Sequence, residues 1–266
     1  MAQAITQRLV KNLKLFNAKE RDHLMRYAYL GESKEYALPE QKFLSDAFTA
    51  KLMDHVIDLG LSDQAKCVFA GMDYHIDWLF VALKLAINGR DWEEPSARGA
   101  TSTTRDFFKM ASAPQGAAIY EDFRALTGTQ EDVDLLVVFT DGQKSAVLFV
   151  EAKGCAAFGR VQLARKLIRL DRVLVESGVL KGSDPLIKYR LILASPNKPN
   201  FDDCRVFACG MPKDQKYDHI RERLDQAIHA SGLGNGVYHL EMPFPGTYAV
   251  TRTPPKSYEY WELKKR

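Results

Sequence analysis

Asp134, Glu151 and Lys153 stand at the ends of two apolar runs, Glu131-Asp132-Val133-Asp134-Leu135-Leu136-Val137-Val138-Phe139 and Ala146-Val147-Leu148-Phe149-Val150-Glu151-Ala152-Lys153-Gly154. Charges at the edge of a buried sheet are unfavourable unless they are paired or hold a metal. Two facing carboxylates repel, and a hard divalent cation such as Mg2+ relieves that repulsion through oxygen ligands. A lysine two residues on adds a compact positive charge able to hold a nucleophilic water or to neutralise charge developing on phosphate. The set suits metal-assisted phosphodiester hydrolysis.

The elements that must position these residues are two strands and a turn. Both runs are rich in Val, Leu and Phe, and Thr140 to Ser145 between them carries Asp141-Gly142, a hairpin signal. An antiparallel hairpin centred between Gly142 and Gln143 sets Asp134 across from Glu151. Alternation then puts Glu151 and Lys153 on one face and Ala152 on the other. A slip of one residue would turn Asp134 to the opposite face.

Asp134 followed by Glu151-Ala152-Lys153 at the end of the next strand resembles the PD-(D/E)xK nuclease superfamily, the restriction-endonuclease-like fold. Glu131-Asp132-Val133-Asp134 stands where a Pro-Asp is expected, so the proline is missing. Gly154, a loop and Gln162-Leu163 opening a helix are similar to the Gln-bearing helix of several branches. The similarity spans Asp132 to Ala194 and can be extended back to Asp73. It implies an α/β fold with a mixed β-sheet core flanked by helices. It also implies Mg2+, with Mn2+ as an alternative, held by Asp134 and Glu151 with the Ala152 carbonyl as a third ligand. Lys153 would position or activate water, and Gln162 would orient the water or the phosphate. An acid from the upstream helix often completes such a site, Asp77 being the first choice and Asp73 the second. Simple capping of that helix by Asp73, His75 and Asp77 is the alternative.

Leu163, Leu167, Leu170 and Leu174 recur at helical spacing and predict a helix from Gln162 to about Ser177 packed on the sheet. Its basic residues Arg165, Lys166 and Arg169, with Arg160 before it, are candidates to grip a nucleic-acid backbone, the alternative being a solvated polar face. Tyr189 to Ala194 reads as a further strand, and His75 to Asn88 as the upstream helix, with Trp78, Leu79, Ala82, Leu83 and Leu85 on its apolar face. Helical spacing before Gly60 predicts an N-terminal helical elaboration, so the expected organisation is a flank over residues 1–65 and a nuclease core over 66–266. Residues 89–127 turn polar and read as a loop, where Arg98, Arg105 and Lys109 could reach a substrate. Beyond the core, a strand at Val206 to Cys209, a helix from about Asp214 to Ala230, a strand at Val237 to Met242 and a basic tail are expected.

The 266 residues suffice for a full core, and the formal charge of +3 permits a nucleic-acid partner without requiring one. No apolar run is long enough to cross a bilayer, and Met1-Ala2-Gln3 lacks a signal pattern, so a soluble cytoplasmic protein is expected. The four cysteines lack paired zinc spacing, and Cys155 reads better as small-residue packing than as a nucleophile. No Gly-rich loop with a following Lys-Ser or Lys-Thr suggests an ATP-driven motor. The expected function is a Mg2+-dependent nuclease acting on DNA rather than RNA, working as a homodimer if it cuts both strands. The alternatives are an inactive nuclease-like module that binds nucleic acid or protein, and a structural protein whose charged cluster is an ordinary ion pair.

Overall fold

The computed structural model describes residues 2–16, 44–89, 131–153, 160–179, 185–195, 237–241, 248–252 and 261–265. In chain order these form helices α1 (Ala2–Phe16) and α2 (Asp46–Asp58), strand β1 (Lys66–His75), helix α3 (Ile76–Ile87), strands β2 (Asp132–Thr140) and β3 (Ser145–Ala152), helix α4 (Arg160–Ser177), and strands β4 (Ile187–Ser195), β5 (Val237–Glu241), β6 (Tyr248–Arg252) and β7 (Trp261–Lys265).

Strands β1 to β5 make one mixed sheet in the order β1-β2-β3-β4-β5, and β6 pairs with β7 in a second, two-stranded sheet. Strand β2 is antiparallel to both neighbours, while β3, β4 and β5 run parallel. The C-terminal ends of β1, β3, β4 and β5 therefore share one edge of the sheet with the start of β2. Every residue of β3 from Ser145 to Glu151 is buried, as expected of a central strand covered on both faces.

One face packs against α1, α3 and α4 through Leu9, Leu13, Leu79, Leu83, Leu170 and Val173, which meet Leu136, Phe149 and Leu191 of the sheet. The other face packs against α2, where Leu52 and Val56 meet Val137, Leu148 and Ile192. Helix α1 is also tied to the sheet by polar contacts: the Tyr74 hydroxyl donates to the Leu13 carbonyl at 2.8 Å, and the Thr6 and Ser145 hydroxyls lie 2.6 Å apart. The described part of the N-terminal flank thus shares a core with the sheet.

The β2–β3 turn is fixed by Asp141. Its carboxylate accepts the backbone N–H of Gln143 at 2.9 Å, of Lys144 at 2.8 Å and of Ser62 at 3.1 Å. Gly142 has φ +88°, a conformation that favours glycine.

The expected upstream helix is α3, with His75 as its N-cap. The strand before it, β1, has no counterpart in the elements assigned from sequence. The expected strands at 189–194 and 237–242 are β4 and β5. The expected strand at 206–209, the helix at 214–230 and all but the first residue of the 89–127 loop lie outside the described residues. No helix among the described residues is long and apolar enough to cross a membrane.

Candidate active site

The hairpin register runs without interruption from Leu135↔Val150 to Thr140↔Ser145. One further step sets Asp134 beside Glu151 on the face covered by α4, since the next residues along that face, Leu136 and Phe149, belong to the α4-side core. Beyond the last pair the Asp134 side chain continues the ladder: its Oδ2 accepts the Ala152 N–H at 2.7 Å. Lys153 follows on the same edge, and its N–H donates to the Ala194 carbonyl at 2.9 Å. Its ammonium makes no ion pair with a described residue.

Glu151 is only 6% exposed. Lys166 of α4 donates to its Oε1 at 2.6 Å, with both side chains buried. Burial pushes the Glu151 carboxyl up to about 6; the Lys166 ammonium opposes that rise and the negative charge of Asp134 adds to it. The carboxylate is therefore held in an environment that favours either a proton or a cation.

Lys166 and Arg169 do not lie on an open basic surface as the sequence suggested, because they are 4% and 2% exposed. Arg169 pairs with Asp77 through one guanidinium nitrogen and with Glu131 Oε2 at 2.8 Å through the other. Helix α4 turns these two residues inward because Lys166, Arg169, Leu170, Val173, Leu174 and Ser177 share one helical stripe, all of them buried. Leu170 and Leu174 of the expected apolar stripe are buried, the side chains of Leu163 and Leu167 lie outside the described residues, and the buried stripe includes two cations whose partners are the acids at the sheet edge.

Asp77, the first choice for a third acid, is engaged by Arg169. Asp73 lies on β1 between Met72, which pairs with Leu135, and Tyr74, which pairs with Val133, so the ladder brings its backbone beside Asp134. Its φ of +47° is the left-handed region that a non-glycine residue seldom adopts. His75 accepts the Asp77 N–H on its Nδ1 at 3.2 Å, so the capping role expected for this cluster belongs to His75. Arg160, Gln162 and Arg165 lie on α4 by backbone alone, and their side chains are outside the description. Cys155 lies outside it altogether.

Among the described residues no group of three or more His, Cys, Asp or Glu side chains is arranged to hold a metal ion. The donor chemistry of Asp134 and Glu151 nonetheless fits Mg2+, which commonly takes one or two carboxylates and fills its remaining positions with water and substrate phosphate. Two further residues at this edge carried no signal in the sequence reading: Ser195 ends β4, and its hydroxyl lies 3.1 Å from Nε2 of His239 on β5. Comparisons with protein families, curated proteins and solved structures find no match to this chain.

Proposed function

We propose that the chain is a metal-dependent nuclease of the restriction-endonuclease-like fold that hydrolyses phosphodiester bonds, in DNA rather than RNA. The observation that carries this reading is that Asp134, one step beyond the Leu135↔Val150 pair and bonded to the Ala152 N–H, acts electrostatically on Glu151, with Lys153 two residues further along the same edge. The strand series β1, β2, β3, then α4 and β4, supports it, with α3 set between the first two strands.

Asp134 and Glu151 would hold Mg2+ or Mn2+, with the Ala152 carbonyl as a third ligand. Bound there, the cation would supply positive charge against a scissile phosphate. The Ala152 N–H holds Asp134 by one oxygen and so limits its rotation. Lys166 holds Glu151 by one oxygen too, and its charge opposes the effect of Asp134 on that carboxyl. Lys153 would position the attacking water or meet the phosphate, and Gln162 would orient either. The test is incubation with plasmid, linear duplex, single-stranded DNA and RNA in Mg2+, Mn2+ or EDTA. Metal-dependent cleavage of DNA supports the proposal, and no cleavage of any of them by folded protein contradicts it.

The Glu151–Lys166 pair favours a second reading. A carboxylate and an ammonium already compensating one another need no metal, as in an inactive module that binds nucleic acid or protein, or in a structural ion pair. Titration with Mn2+ separates the two, since only a nuclease of this kind requires Asp134 and Glu151 to bind the ion.

A further inference from the structure

Two buried cations of α4 take up the acids that a second metal ion at this edge would need. Lys166 donates to Glu151 Oε1 at 2.6 Å, and Arg169, one turn on, holds Asp77 and Glu131. Drawing either cation off its acids would strand a charge in the core.

The charges acting on the Glu151 carboxyl are the Lys166 ammonium and the Asp134 carboxylate. The ammonium on Oε1 supplies the positive charge that a metal ligated by that oxygen would supply. A divalent ion on the same oxygen would sit about 2.1 Å from it, against a like charge in a site withdrawn from water. No described side chain donates to the other oxygen, Oε2, which stays available to a cation. Asp134 is divided likewise: Oδ2 is turned to the Ala152 N–H, and no described side chain donates to Oδ1.

Two metal ions about 3.5–4 Å apart, as in many phosphodiesterases, need a carboxylate that bridges them or further acids for the second ion. Glu151 cannot bridge while Oε1 is on Lys166, and Asp77 and Glu131 are on Arg169. Resting on the nuclease reading above, we propose that Lys166 stands in for a second metal ion: the site binds one divalent cation, on Asp134 and Glu151, and the Lys166 ammonium stays on Glu151 Oε1 while that cation is bound. Lys166 is thereby a positioning residue that fixes which oxygen Glu151 offers. Phosphate charge beyond the reach of one ion falls to Lys153.

The test counts Mn2+ ions bound per chain by calorimetry, taking those lost in Asp134→Asn as the ions of this site. Wild type should bind one such ion and Lys166→Met two. Two ions in wild type that cuts DNA would overturn the inference and leave the nuclease reading standing. One ion in folded Lys166→Met would also overturn it, leaving Lys166 as a structural tie between α4 and β3. Wild type that binds no Mn2+ at this site would overturn the nuclease reading and this inference together. Should Lys166→Met misfold, nitrogen NMR of the wild-type Lys166 ammonium decides: its hydrogen-bonded signal should persist in saturating Mg2+, and loss of that signal would overturn the inference.

Discussion

Lys166 donates to Glu151 across 2.6 Å between α4 and β3, and both side chains are almost wholly withdrawn from water. Taking one member away leaves the other buried and uncompensated, which typically costs 3–5 kcal/mol, whereas replacing both by apolar groups is often neutral. Lys166→Met should therefore destabilise the protein by about 3 kcal/mol, and Glu151→Leu with Lys166→Met should recover most of that loss. Urea unfolding of the single and double variants measures both. Equal stability of Lys166→Met and wild type would mean the pair contributes nothing.

The raised Glu151 carboxyl also predicts a pH dependence. Its folded value of about 6 lies above the ordinary glutamate value of 4.5, so the folded state binds the proton more tightly. The associated stability is fully present below the unfolded value and is lost as pH rises through about 6, a change of about 2 kcal/mol for a shift of this size. Glu151→Gln removes the titration. In metal-free buffer, the difference in unfolding free energy between wild type and Glu151→Gln should move against wild type between about pH 4.5 and pH 7. A pH-independent difference would contradict the assignment.

Arg169 joins three elements, holding Asp77 at the start of α3 and Glu131 just ahead of β2 from its place on α4. A guanidinium spans two carboxylates with separate nitrogens; an ammonium is a point charge on a flexible stem. Arg169→Lys should therefore cost about 2–3 kcal/mol despite the conserved charge, and Arg169→Met somewhat more. Thermal unfolding reads the effect, and a midpoint unchanged in Arg169→Lys would show that the fork geometry is unimportant.

The β2–β3 hairpin and its register were legible in the sequence because side-chain alternation and the Asp141-Gly142 turn constrain one another, whereas β1 was not assigned. A turn centred between Gly142 and Gln143 allows only one partner for Asp134, and the Asp141 hydrogen bonds hold the turn there. The inward turn of Lys166 and Arg169 was not legible from residue type, since Lys and Arg are rarely buried without a partner and their partners lie 15 to 92 residues away. Spacing did carry a signal: Lys166 is four residues before Leu170, and Arg169 four before Val173. The Ser195–His239 pair depends on β4 and β5 being adjacent and parallel, a long-range pairing that local sequence does not encode.

Lys153 separates chemistry from folding more cleanly than Glu151 does, because its ammonium makes no ion pair with a described residue, whereas Glu151→Ala would strand Lys166 in the core. Glu151→Gln keeps an oxygen for Lys166 and removes the negative charge a metal needs.

The most direct measurement is cleavage of duplex DNA in Mg2+ by wild type, Lys153→Ala and Glu151→Gln, with unfolding midpoints recorded for each. Wild type should cut in Mg2+ and not in EDTA, and each variant should lose at least about 100-fold in rate while remaining folded. Undiminished cleavage by both folded variants, or cleavage by wild type that persists in EDTA, would contradict a metal-dependent nuclease site at Asp134, Glu151 and Lys153.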